Sequence, residues 1–321
     1  MESYRYEGAR RCPHPASVVE MLPGRRCRGR ESARRTDGPA AFEPGTGVIS
    51  VTFRFELLGP IQARNNDREL NLGTPQQCAV LGLLLLAEGR WVSLERMIEA
   101  LWGMSPPETA SSAVRTYVSR LRGLLSVCGD ECRIRSGGGG YQLPVPSDAL
   151  DLVEFDRRVR RGRALRESGD RRAAVAELRR ALALWRGEAL GGARGEYVEA
   201  ERDRLERLRL LSLQERIELD IELGRHAEVL PDLAMLTRSH PLQERLRELQ
   251  MLALYRAGRQ AEALRVYRDV WELLNSQLGV EPDADLRRLH AQVLRADPAL
   301  RPCESLAGRL EMARQDGVGG P

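Results

Sequence analysis

The sequence predicts a mainly α-helical protein built in two parts, and three observations carry that prediction. The chain of 321 residues is dominated by Leu, Ala, Arg and Glu, all strong helix formers. Short runs with a two-residue apolar period occur at 51–58, 61–63, 69–72, 133–135 and 141–143. From Asp148 to about Asp297 every segment instead has a helical period, interrupted by Gly or Pro. At roughly 100–200 residues per domain, this length suits two domains. The expected organisation is a disordered basic extension at 1–48, a domain of strands, helices and hairpin at 50–146, an all-helical domain at 147–300, and a flexible tail at 301–321.

The first segment is rich in Arg, Gly, Pro and Ser and has no apolar period. Met21 offers an alternative start within it, and a basic arm adding non-specific affinity for DNA is its functional reading. At 51–58, Val51, Phe53, Phe55 and Leu57 alternate with Thr52, Arg54 and Glu56, which predicts a half-buried strand. Gly59-Pro60 turns the chain, and short strands follow around Asn65, Asn66 and Asp67. Thr74-Pro75 predicts an N-cap followed by proline at the first helical position, opening a helix that runs to about Glu88. Ser93 caps a second helix that buries Leu94, Met97, Ile98 and Leu101 and ends near Trp102-Gly103. A third runs from about Glu108 to Leu125. Glycines 137–140 then separate Arg133-Ile134-Arg135 from Tyr141-Gln142-Leu143, the pattern of a hairpin with Tyr141 as its anchor in the core. Strands, three helices and a hairpin make a winged helix-turn-helix. The full expectation is a mainly α chain: a winged helix-turn-helix DNA-binding domain with N-terminal β-strands and a C-terminal β-hairpin, followed by an all-α TPR-like domain.

In that second domain, Gly169-Asp170, Gly224-Arg225 and Gly258-Arg259 precede similar small and apolar residues: Ala174, Leu178 and Ala181; Val229 and Leu233; Ala263 and Tyr267. Gly224 and Gly258 are 34 residues apart, the TPR period. Pro231 predicts a helix that is short or kinked at its start.

Net charge is only +4, so local charge has to decide what the chain binds. There is no lysine, and every strong base is Arg, which grips phosphate or guanine through paired N–H groups. On the third helix Ala110, Ala113, Val114, Tyr117, Val118, Leu121, Leu124 and Leu125 form an apolar stripe. Ser112, Arg115, Thr116, Ser119 and Arg122 share the opposite face, which has no carboxylate and suits a DNA major groove. Arg120 lies on the flank, placed for a phosphate or for an acid of the domain. A solvated helix face would also read this way. The hairpin tips the balance, since Arg133 and Arg135 alternate beside glycines that let backbone approach DNA, as a wing does in a minor groove.

Other classes fit poorly. Six cysteines, Cys12, Cys27, Cys78, Cys128, Cys132 and Cys303, are scattered, so no disulfide framework is expected. Cys128 and Cys132 lack further ligands for zinc, and no metal is expected. The glycine run lacks the lysine and helix of a P-loop, so no cofactor is expected. His14, His226, His240 and His290 have no nucleophile elbow or metal spacing around them, so the chain does not read as an enzyme. No apolar run approaches the ~18–20 residues of a membrane span, and no secretory signal is seen, which places the expected protein in the cytoplasm, associated with the nucleoid.

Several motifs carry a resemblance. Leu57-Leu58-Gly59-Pro60, Ala100-Leu101-Trp102-Gly103, Tyr117-Val118-Ser119-Arg120-Leu121-Arg122 and Gly140-Tyr141 resemble the OmpR-type winged helix of the Streptomyces antibiotic regulatory protein family. Asp151-Leu152 with Phe155, Ala183-Leu184-Trp185-Arg186-Gly187, Leu223-Gly224-Arg225-His226, His240-Pro241-Leu242 and Met251 through Ala261 resemble that family's bacterial transcriptional activation domain. The resemblance covers about residues 51–300. It implies an activator of secondary-metabolite genes that binds tandem direct repeats in double-stranded DNA near a promoter, as a homodimer, and recruits RNA polymerase holoenzyme. It assigns DNA contact to Ser112, Arg115, Thr116, Ser119 and Arg122 of the third helix and to Arg133 and Arg135 of the wing. The chain departs from the family pattern in its glycine-only wing, in Gln76-Gln77 where a basic residue often opens the first helix, and in its N-terminal extension. The alternative reading is a TPR-like scaffold or ligand sensor with secondary DNA binding, which predicts an open apolar groove and ligand-dependent affinity for DNA.

Overall fold

Alternating residues at the front of the chain build a small antiparallel meander. The computed structural model describes residues 53–66, 68–128 and 132–300, and the expectations for 1–48 and 301–321 lie outside them. Strands β1 (Phe53–Glu56), β2 (Gln62–Asn65) and β3 (Arg68–Glu69) pair in chain order, with Phe55 opposite Ala63. Phe55 and Ala63 turn inward and Arg54 outward, as the alternation requires. The second and third strands are displaced from 61–63 and 69–72. Ile61 donates its N–H to the Gly191 carbonyl (2.9 Å) instead of to the ladder, so the strand starts one residue later.

Thr74 caps α1 (Pro75–Leu86), its hydroxyl accepting the Gln77 N–H at 3.3 Å, with Pro75 in the first turn. The helix stops before Glu88 because Glu88 and Gly89 take positive φ. Residues 79–85 are buried without exception, so α1 is apolar on every side and sits inside the molecule. Ser93 caps α2 (Leu94–Trp102), accepting the Arg96 N–H at 3.1 Å. Met97, Ala100 and Leu101 of α2 are buried, with Leu94 and Ile98 half-buried. Helix α3 (Ala110–Leu125) begins two residues later than expected, because the Pro107 carbonyl closes a turn on Ala110 and Thr109 gives no side-chain cap.

A second sheet has the order β4-β6-β5, from β4 (Val92–Ser93), β5 (Arg135–Gly137) and β6 (Gly140–Gln142). The expected hairpin strands, 133–135 and 141–143, are corrected by this register. Gly137 pairs with Gly140, leaving Gly138-Gly139 as a two-residue turn with φ of 56° and 78°. Those angles belong to the turn that matches strand twist, so the tip lies within the glycine run and draws β5 towards it. Arg133 therefore precedes the strand.

The remaining helices are α4 (Asp151–Glu167), α5 (Arg171–Leu182), α6 (Glu196–Glu222), α7 (Leu230–Ser239), α8 (Glu244–Arg256), α9 (Gln260–Leu278) and α10 (Ala284–Leu294). Their breaks fall at Gly169, Gly224, Gly258 and Gly279, each with positive φ. Helices α4–α5 and α8–α9 form hairpins of the TPR kind. Between them α7 starts late, with Pro231 in its first turn. Helix α6, at 27 residues, is longer than a repeat needs. Among the described residues no helix is long and apolar enough to cross a membrane.

One hydrophobic core runs across the junction near residue 146, from Phe55, Leu84 and Val118 to Phe155, Leu178 and Leu205. The Asp151 carboxylate accepts the N–H groups of Leu57 (2.8 and 2.9 Å) and Leu58 (3.0 Å). Burial pushes its pKa up, opposed by those two backbone donors and by Arg186. Arg186 in turn reaches Glu56 (2.7 Å), Gln62 (2.9 Å) and Asp151 (3.3 Å). Backbone bonds from Arg186 to Leu58, Leu190 to Leu57 and Gly191 to Gly59 complete the seam. The start of α6 rests on the end of α2: Arg96 lies 5.1 Å over the ring of Tyr197, and a Cβ on Gly195 would come within 2.7 Å of the Ala100 carbonyl.

Candidate nucleic-acid interface

Helix α3 is held by its apolar stripe, with Ala110, Val114, Val118, Leu121 and Leu125 buried against α1 and α2 and Ala113, Tyr117 and Leu124 half-buried. This fixes which residues face out. Ser112, Arg115, Thr116, Ser119 and Arg120 are all exposed. The helix contains no carboxylate, and neither Arg115 nor Arg120 makes an ion pair or hydrogen bond among the described residues. The Ser112 hydroxyl donates to the Thr109 carbonyl (2.8 Å) and the Thr116 hydroxyl to the Ser112 carbonyl (2.9 Å). With their protons committed to backbone, both oxygens present acceptor lone pairs, suited to the amino groups of adenine or cytosine.

Arg122 is placed differently from its expected companions. It is half-buried, its Nε donates to the Ile134 carbonyl (3.0 Å), and its Nη2 donates to the Ser136 hydroxyl (2.5 Å). Its guanidinium carbon lies 5.8 Å from the centre of the Tyr141 ring. Arg122 therefore joins α3 to the hairpin and is not free on the groove face beside Arg115. Tyr141, expected as a core anchor, is half-buried and pairs with Ser136 across the strands and with Val92 on β4.

The hairpin carries two faces. Ser136 and Tyr141 point towards Arg122. Arg135 and Gly137 belong to the other face, where the Trp91 ring lies so close to Gly137 that an added Cβ would approach it to 2.8 Å. Arg135 is exposed opposite Gln142, whose amide donates to the Gly89 carbonyl (2.6 Å). Arg133 is exposed at the foot of the hairpin. The glycines have a local cause at Gly140, where a Cβ would stand 2.2 Å from the Val92 carbonyl, so β4 requires glycine there. Sequence reasoning missed β4, Trp91 (53% exposed) and the Arg122 contacts. A lone tryptophan before a helix cap carries no periodic signal.

The assembled surface is thus a carboxylate-free helix face bearing two unpaired arginines, flanked by a short hairpin with the exposed Arg135 on it and the exposed Arg133 at its foot. It has the shape and sign for a nucleic-acid duplex.

Comparison with known proteins gives the same order of parts. Residues 67–143 match the family described as transcriptional regulatory protein, C terminal, and residues 150–294 match the bacterial transcriptional activator domain. Regulatory protein AfsR of Streptomyces coelicolor is 46% identical over 268 residues, which is 83% of this chain and 26% of that protein. The chain thus spans about a quarter of the length of AfsR. Regulatory protein DnrI of Streptomyces peucetius is 36% identical over 77% of this chain and 94% of its own length. The solved structure of Mycobacterium tuberculosis EmbR, in complex with a low-affinity phosphopeptide, superposes with a TM-score of 0.73 at 32% identity, covering 82% of this chain and 71% of that one.

Proposed function

The chain belongs to the Streptomyces antibiotic regulatory protein family of transcriptional activators, and we propose that it activates a secondary-metabolite gene cluster by binding tandem direct repeats near the promoter. In this reading residues 50–146 face DNA and residues 147–300 face protein. Ser112, Arg115, Thr116, Ser119 and Arg120 enter or flank a major groove, and Arg133 and Arg135 reach an adjacent minor groove. Two copies sit head-to-tail on the repeats as a homodimer, and the pair recruits RNA polymerase holoenzyme. The protein acts in the cytoplasm, on the nucleoid.

The observation that carries this reading is the unpaired state of Arg115 and Arg120 on a helix face without acids. Elsewhere in the chain exposed arginines commonly have a carboxylate within reach, as Arg157 has Glu154 and Arg259 has Glu262. An arginine left without one keeps its donors for a phosphate or a base edge. The test is a gel shift and footprint with the full chain on intergenic DNA flanking its own gene, at two salt concentrations. A footprint over direct repeats that survives the higher salt supports the proposal. Binding that is blind to sequence and lost with salt counts against it.

A second reading, scaffold or ligand sensor, draws on an open groove of about 630 Å³ between α7 and α9, floored by Leu230, Ala234, Leu254 and Val266. It requires DNA affinity to change when the groove is filled, and the same gel shift with and without small-molecule extracts separates the two.

A further inference from the structure

We infer that Arg122 is a positioning residue that sets the wing against the recognition helix, and that it does not read a base. The inference rests on the DNA-binding reading above. Strands β5 and β6 have three residues each, and β5 is the edge of its sheet, paired only with β6. A ribbon this short is marginal alone and needs a fastening outside its own ladder. β6 has one in β4. For β5, Arg122 supplies it: one guanidinium edge holds the Ile134 carbonyl just before the strand and the Ser136 hydroxyl within it, while Tyr141 of the facing strand packs on the same group. Three points on the hairpin are tied to one side chain of α3.

The same contacts take the Nε–Nη2 edge of Arg122 out of direct readout and turn the half-buried side chain towards the hairpin. Bidentate recognition of guanine through Nε and Nη2 needs the edge that Ile134 and Ser136 already occupy. Arg115 and Arg120, exposed and without such contacts, keep both edges. The hairpin thus takes its angle from α3, and Arg135 is delivered to the DNA at a fixed distance from Arg115.

The test uses the full chain and the DNA fragment it protects next to its own gene, with Arg122→Ala, Arg122→Lys, Ser136→Ala and, as comparator, Arg115→Ala. Circular dichroism melts check that each variant is folded, and Ser136→Ala, at an exposed hydroxyl, keeps the test open if Arg122→Ala is not. Hydroxyl-radical footprints report the minor-groove contact of the wing, and affinities for a set of single-base operator variants report readout. Arg122→Ala is expected to lose the wing footprint and to weaken binding roughly tenfold for every operator variant alike, Ser136→Ala roughly threefold, as for loss of one or two net hydrogen bonds. Arg122→Lys, which keeps the charge but puts its donors on a single nitrogen, should recover part of the wing footprint. Arg115→Ala should leave the wing footprint and change preference at one base pair. The inference is overturned if Arg122→Ala relaxes preference at a single base pair with the wing footprint intact, or if Ser136→Ala leaves that footprint unchanged. Absence of any footprint with the unaltered chain would remove the DNA-binding reading and this inference with it, which is a distinct result from a footprint that the variants fail to alter.

Discussion

Arginine does two different jobs in the two halves of this molecule. In the helical half many arginines are cross-linked, while others, such as Arg161 and Arg172, stand exposed without a carboxylate partner among the described residues. Arg163 meets Glu215, Arg166 meets Glu218 and Glu222, Arg171 meets Glu222, and Arg245 meets Glu218 and Glu248, tying α4, α5, α6 and α8 together. At the centre of this half the fully buried Asp220 receives Arg179, Arg216 and Arg225. On α3 the same side chain stands unpaired at Arg115 and Arg120. The difference teaches that the count of arginines says little about nucleic-acid binding, and that the absence of nearby acids says much. A net charge of +4 hides this, because it averages arginines beside acids with arginines on a face that has none.

The sharpest break of the comparison is at Asp220. Asp220→Ala leaves Arg179 and Arg225 without this carboxylate and Arg216 with Asp232 alone, and should cost about 3 kcal/mol, the low end for removing one partner from a buried ion cluster because Arg179 and Arg225 reach solvent. Urea unfolding measures it, and DNA affinity corrected for the folded fraction should not change. On α3 the opposite pattern is expected. Arg115→Ala and Arg120→Ala should each weaken operator binding, by about 1–3 kcal/mol where the side chain reads a guanine, and leave thermal unfolding within roughly 0.5 kcal/mol. If Arg115→Ala instead lowers stability and spares affinity, the face has been assigned wrongly.

Smaller effects sharpen the contrast. Arg163→Ala removes an exposed pair with Glu215, and the loss should be no more than about 1 kcal/mol, shrinking further in high salt. The last effect is graded in pH. Burial, with Arg256 nearby, holds His226 below its ordinary value of 6.5, and burial does the same for His290, which stacks on Tyr267 at 3.8 Å. Both are folded in the neutral form, so their contribution is present above pH 6.5 and is lost as pH falls through that value towards the folded-state pKa. Melting temperature followed from pH 7.5 downwards should therefore fall below about 6.5 for reasons that lie in the helical half, because residues 50–146 contain no histidine. His290→Gln should flatten that fall; a curve unchanged by the substitution would assign it elsewhere.

What was legible in the sequence was what local chemistry decides. Thr74 and Ser93 cap their helices with their own hydroxyls, three residues from the N–H groups they hold. The helix-breaking glycines and the late start at Pro231 are backbone effects of single residues. The buried and exposed faces of α3 follow from a period of 3.6. What stayed hidden depends on partners far along the chain. β4 is two residues long, too short for any period, and exists because β6 lies beside it. Arg122 shares its sequence face with Arg115, and only the return of the hairpin turns it inward. Asp151 reads as an ordinary acid in the first turn of a helix, yet its partners are backbone groups 93 and 94 residues earlier. The helix opened at Thr74-Pro75 was legible, but not that its apolar run around Leu81–Leu85 would be enclosed by both halves.

In the proposed complex, helix α6 would set a rotational condition on the DNA itself. It runs unbroken for 27 residues, about 40 Å at ~1.5 Å per residue, from its seat on α2 into the repeat stack. With no hinge along it, the stack is held at one angle around the duplex axis for every copy that binds. Under the proposed binding of two copies to tandem repeats, the stacks would lie on the same side of the DNA only when the repeats are in helical phase. About 5 extra base pairs between repeats, half of a ~10.5 bp turn, would swing one stack to the far side. Under the direct-repeat proposal, spacing between repeats would thereby be part of the signal that the protein reads.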